Sequence, residues 1–170
     1  MKTIVMNPSK NLRKIRFYLI LFFLGILFGL HTVVFVEIET AFFVKYLGPD
    51  TFMENALPVI SAWIETLHTS ITESYRAYPV MAYCMDWLSY ACVVFALFIV
   101  GAIKDPVRNI WIIQVYMIAC ILATLLPFIV GPLRGIPIFW RFIDGSFGVM
   151  GFILLFLAYR LTKEIQANHL

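Results

Sequence analysis

Charge is scarce in this sequence. Only 14% of its 170 residues are Asp, Glu, Lys or Arg, while 62% are hydrophobic. A soluble domain carries about a quarter charged residues to hold its surface in water, so the composition excludes an ordinary soluble fold. Cysteine is scarcer still. Cys84, Cys92 and Cys120 lie inside apolar runs and form no CxxC pair. That speaks against a quinone-linked thiol reductase, and the three read as small apolar fillers. Of the three histidines only His31 falls in an apolar run; His68 and His169 lie outside. A haem-carrying helical bundle needs more intramembrane histidine, and a metal ion needs several ligands together. No cofactor and no metal site are therefore expected. No internal repeat is visible, so a proton-coupled carrier is the weakest of the functional alternatives: four spans without a repeat must oligomerise to build a path. The net charge of +3 does not point to nucleic acid, because the basic residues cluster at segment ends, where membrane topology accounts for them.

What the sequence does have is long apolar runs. Four blocks, about 17–36, 78–103, 110–130 and 143–161, are each near 20 residues. At 1.5 Å per residue such a block crosses a hydrocarbon core of about 30 Å. The expectation is an all-α, four-helix transmembrane bundle forming a single integral membrane domain over 1–170. The first run is too long for a signal-peptide core and lacks a small-residue cleavage site, so it is expected to stay as an anchor.

Between the first two runs lies one long connection, 37–77, holding Glu37, Glu39, Asp50, Glu54, Glu65 and Glu73. Leu47-Gly-Pro-Asp50 is a turn signal. Beyond it Leu57, Ile60, Ile64, Leu67 and Ile71 recur at spacings of three and four. This predicts an extra amphipathic helix over about 55–74, with Ser61, Glu65 and Thr72 on its other faces. It is either a cap on the membrane surface or a lid over a pocket.

Orientation follows from the basic residues. Lys2, Lys10, Arg13, Lys14, Arg16, Lys104, Arg108, Arg160 and Lys163 fall on one side, against Lys45, Arg76, Arg134 and Arg141 on the other. The basic-rich side is cytoplasmic, so both termini are expected there and the long acidic connection outside. The head before Arg16 reads as a topogenic signal or as an arm on lipid headgroups.

Candidate site residues come from the polar groups that this topology gathers in the outer leaflet. Asp86 stands out, because a carboxyl inside a span costs at least a few kcal/mol unless it is paired or protonated. Tyr83 and Tyr90, three before and four after it, share its helix face. His31 and Glu39 lie near the outer end of the first run. Arg134, Arg141 and Asp144 belong to the crowded stretch Gly131–Gly148, which also holds Pro132, Pro137 and Trp140. Arg141 and Asp144, three apart, are spaced to pair on one turn. Together these residues suggest a pocket opening outward or laterally, with an acid at its floor and guanidiniums at its rim suited to a carboxylate or phosphate. The alternative is that the arginines snorkel to headgroups while Trp140 joins the aromatic belt. Asp86 is kept apart as a structural ion pair or a candidate acid/base.

In layout this resembles the EXPERA group of sterol isomerases and lipophilic-ligand binders, which also carry acids in their first two spans, as Glu37, Glu39 and Asp86 do here. No motif is shared, so no residue role is carried over. The expected function is binding of a lipophilic ligand or lipid, or service as an accessory subunit of a membrane complex. The alternatives are an isomerase-like enzyme using Asp86 and a proton-coupled carrier. Expected partners are membrane lipids, a lipophilic small molecule, and a homo-oligomer or larger membrane assembly.

Overall fold

In the computed structural model the described residues, 8–167, are all-helical, with no strand among them. Lys2, Asn7 and His169 lie outside the described residues. The helices are α1 (Pro8–Val34), α2 (Val36–Leu47), α3 (Phe52–Ala56), α4 (Pro58–Ala77), α5 (Pro79–Lys104), α6 (Ile110–Leu133) and α7 (Ile138–Ala167). Four apolar segments are long enough to cross a membrane: Asn11–Val34, Pro79–Lys104, Ile110–Leu133 and Ile138–Ala167. The chain is thus an integral membrane protein by the length and composition of its helices.

The described residues divide into two compact units, one ending at Ile26 and resuming at Phe95, the other Leu27–Val94. The first unit has a core of Ile15, Leu19, Ile99, Ala102, Ile112, Ile113, Cys120, Leu155, Ala158 and Ile165. Its closest helix pair is α6 with α7. Gly145, Gly148 and Gly151 supply the α7 side of that contact and are buried. Small residues let helix backbones approach where lipid removes the hydrophobic drive to associate. Pro127 and Pro132 are both carried inside α6.

Arg16, in sequence part of a basic head, has a structural task. Its Nε donates to the Ile103 carbonyl at 3.2 Å and its Nη2 to the Lys104 carbonyl at 3.0 Å. These are unpaired carbonyls at the C-terminal end of α5, where a cation is also favoured by the helix dipole. In the turn that follows, the Asp105 carboxylate accepts from the Arg108 backbone N–H at 3.0 Å. It therefore holds the turn rather than capping α6, which begins after Asn109.

The second unit differs most from the sequence expectation. Region 37–77 holds three helices where one was expected. α1 ends at Val34, and Phe35 alone separates it from α2. Glu37 and Glu39 stand in the first turn of α2, a favourable place for acids beside the positive helix end. Thr51 caps α3, its hydroxyl oxygen accepting from the Met53 N–H. α4 packs on α2 through a face that includes Ile64 and Ser61, each nearly inaccessible. Ser61, expected on a face other than the apolar stripe, is instead buried with Ile64. Thr40 of α2 is buried there and meets His68 of α4, hydroxyl to Nδ1 at 3.0 Å.

Candidate functional site

The candidate residues fall into two sets. His31, Glu39, Tyr83, Asp86 and Tyr90 belong to the unit Leu27–Val94. Arg134, Arg141 and Asp144 belong to the other.

In the second unit, His31 and Glu39 bind each other, Nδ1 to Oε1 at 2.7 Å. Phe35 lies against the imidazole, ring centroids 4.8 Å apart. The pair spans the α1–α2 junction and fixes where one helix gives way to the next. A neutral imidazole donating its Nδ1–H satisfies this geometry as well as an imidazolium does. Glu39→Gln keeps an acceptor there. We therefore expect it to change unfolding stability by less than about 1 kcal/mol, as for other exposed pairs. A denaturation series showing a larger loss would mean the pair is shielded and charged.

Asp86 lies in an open recess of about 370 Å³ with Tyr83, Trp87 and Tyr90. All four come from one face of α5, at i, i+3, i+4 and i+7. The rings of Tyr83 and Trp87 are 6.2 Å apart at 88°, and those of Trp87 and Tyr90 6.0 Å apart at 83°. Trp87 was not singled out in the sequence; its spacing from both tyrosines is the signal that points to it. Asp86 makes no ion pair among the described residues. Near the C-terminal end of α4, partial burial and the charges of Glu37 and Asp86 push the Tyr75 phenol above its ordinary pKa. Acids of α2 and α5 thus act on the same end of α4.

In the first unit, Arg134, Arg141 and Asp144 line a second recess of about 270 Å³, with Leu126, Pro127, Val130, Gly131 and Ile136. The turn that builds it follows α6. The Gly131 carbonyl accepts from the Ile136 N–H at 3.0 Å, and Gly135 takes φ 67°, which glycine adopts without a Cβ clash. α7 then starts at Ile138, before the expected 143, so Arg141 sits on the same helix as Asp144. Arg141 Nε donates to the Ile136 carbonyl at 2.6 Å. Its stem lies against Gly131, where an added Cβ would come within 2.9 Å of Cδ. No ion pair joins Asp144 to either arginine among the described residues, although the spacing allows one.

Below this recess, on the same two helices, runs an apolar groove of about 350 Å³. Leu21, Phe22, Gly25 and Ile26 of α1 form one wall. Tyr116, Ala119, Cys120 and Ala123 of α6 and Phe147, Gly148, Met150, Gly151 and Leu154 of α7 form the others. Sequence reading missed this groove because each lining residue is an ordinary apolar one. On α6, Tyr116, Ala119, Cys120, Ala123, Pro127, Val130 and Gly131 recur at helical spacing. One face of α6 therefore serves both groove and recess. On α7, Arg141, Asp144, Gly148 and Gly151 do the same. From Ala123 to Gly131 is roughly 12 Å along the axis.

Compared with family models, curated proteins and solved structures, the chain matches none.

Proposed function

We propose that this chain is a multi-pass membrane protein that binds an anionic amphiphile, a membrane lipid or a lipophilic small molecule, on the α6–α7 face of its first unit. The observation that supports this is one strip in which an apolar groove leads to a recess with two arginines. The tail takes the groove. Arg134 and the Nη groups of Arg141, which no carboxylate among the described residues engages, take the phosphate or carboxylate. A guanidinium left unpaired at the edge of a bilayer gains more from such a partner than it would in water.

In this reading both termini are cytoplasmic, and Arg134 and Arg141 face the outer side. The four long helices form a bundle, and α4 is its amphipathic outer helix, with Glu65, Thr66 and Thr69 exposed.

Gly25 offers a test that leaves the fold alone. A Cβ built there meets nothing within 4 Å, so a large side chain enters the groove rather than a neighbour. Native mass spectrometry of the full chain in an uncharged detergent is expected to detect a bound anionic amphiphile. Gly25→Trp is expected to remove it or weaken it roughly tenfold or more, in line with about 1.4 kcal/mol per factor of ten. Identical adducts on the parent and the variant would end this reading.

A further inference from the structure

A second site lies on α5, and its chemistry is opposite to that of the arginine recess. We propose that Tyr83, Asp86, Trp87 and Tyr90 form an aromatic cage for the quaternary ammonium head of a choline-type membrane lipid.

Charge favours a cationic ligand here. Asp86 has no ion pair among the described residues, and a carboxylate within a span is costly without a countercharge. The cations of its own unit do not supply one. Lys45 places its ammonium over the Tyr46 ring at 5.4 Å, and Arg76 pairs with no acid among the described residues. Glu37 adds a second negative charge near the same end of α4: after burial, the larger cause, it and Asp86 both push the Tyr75 phenol up. The region favours a cation from outside the chain.

The shape of the recess suits a quaternary ammonium. Trp87 stands almost perpendicular to Tyr83 and Tyr90, with centroid separations of about 6 Å. A cation within about 6 Å of a ring centroid is attracted by the face of that ring, and aromatic cages recognise trimethylammonium groups in this way. All three rings are more than half exposed, at 57%, 58% and 61%. They are therefore available to a ligand rather than spent on the core. A primary ammonium, more strongly hydrated, gains less from aromatic walls.

The position of the recess along α5 bears on the source of the cation. Tyr and Trp collect where a span meets the headgroup layer. Exposed Tyr78 lies just before α5, and the other three rings follow within its first three turns or so. From Pro79, Tyr83 is roughly 6 Å and Tyr90 roughly 16 Å along the axis, so the head of a lipid in that leaflet, drawn inward by Asp86, is the nearest source of a quaternary ammonium.

The test uses the purified full chain in maltoside micelles. It is titrated calorimetrically with dihexanoyl phosphatidylcholine, phosphatidylethanolamine and phosphatidylglycerol, and with tetramethylammonium chloride. With phosphatidylglycerol reporting on the arginine recess, phosphatidylcholine is expected to bind at least about tenfold more tightly than phosphatidylethanolamine. Asp86→Asn and Trp87→Leu are each expected to weaken it about tenfold, with Trp87→Phe recovering part of the loss. Asp86→Asn and Trp87→Leu are expected to leave phosphatidylglycerol binding unchanged, which separates this site from the anionic one. Equal affinity for phosphatidylcholine and phosphatidylethanolamine would overturn the proposal. So would wild-type binding by Asp86→Asn in a variant with an unchanged helical spectrum. Tetramethylammonium binding as tightly as the lipid would overturn the lipid source and leave a free ammonium ion as the ligand.

Discussion

Gly148→Ala is expected to be the most destabilising glycine-to-alanine change on the α6–α7 seam. A Cβ at this position would lie 2.6 Å from the Cys120 carbonyl oxygen and 2.8 Å from the Thr124 nitrogen, and would press on Thr124 Oγ1 as well. Two of these three atoms are α6 backbone, which cannot rotate away. The hydroxyl is also committed, donating to the Cys120 carbonyl at 2.9 Å. Relief therefore requires α6 and α7 to part, and their contact is the most extensive in the first unit. The cost is expected at about 3 kcal/mol, the upper end for overpacking. That is more than a hundredfold in the folded-to-unfolded ratio. Gly151→Ala should cost less, since its Cβ meets the Cys120 sulfur at 2.9 Å and a Phe22 ring carbon at 3.0 Å, both on side chains that can shift. Gly25→Ala, with nothing within 4 Å, should stabilise its helix by about 0.5–1 kcal/mol. Unfolding midpoints in a fixed detergent would rank the three. If Gly148→Ala matched Gly25→Ala, the glycine face would not be the seam that holds α6 to α7.

That seam was visible in the sequence as a glycine every third residue from Gly145, because helix geometry turns such spacing into a face. The four apolar segments were visible for the same kind of reason: a run near 20 residues has few other uses. Region 37–77 was less legible. Glu37 and Glu39 marked a loop when read as charges within a polar stretch. In the structure they open α2, where a helix N-terminus favours them. Val36–Leu47 is apolar enough for a helix but too short to span, and no periodic test separates it cleanly from an extended run. The polar groups were legible as types but not as partners. Pairing of His31 with Glu39 depends on a one-residue break at Phe35. Arg141 was read from its charge, whereas its Nε is fixed by a turn that depends on Gly135 at positive φ. The apolar groove could not be seen, since a wall residue and a lipid-facing residue have the same composition.

Arg141→Lys is expected to separate the two tasks of this residue. Its Nε holds the Ile136 carbonyl at 2.6 Å, which ties the turn between α6 and α7. Its two terminal nitrogens remain for an anion. A guanidinium performs both because its donors point along several fixed directions in one plane. A lysine has one ammonium at the end of a flexible stem. It can reach the Ile136 carbonyl or the anion, and holding both needs a geometry its chain does not enforce. Binding of an anionic amphiphile such as oleate should therefore fall about tenfold or more in Arg141→Lys, while the fold survives. Arg141→Leu should in addition lose about 2 kcal/mol of stability, because the Ile136 carbonyl is left without its donor. Arg134 provides the control. It is exposed and its side chain makes no hydrogen bond among the described residues, so it acts as a point charge that lysine can replace. Arg134→Lys should weaken oleate by no more than about threefold. Titration of the three variants with oleate in maltoside micelles, beside their unfolding curves, checks each step. Undiminished oleate binding by Arg141→Lys would show that the planar guanidinium is not what grips the anion, and the recess would then be a structural corner of the α6–α7 turn.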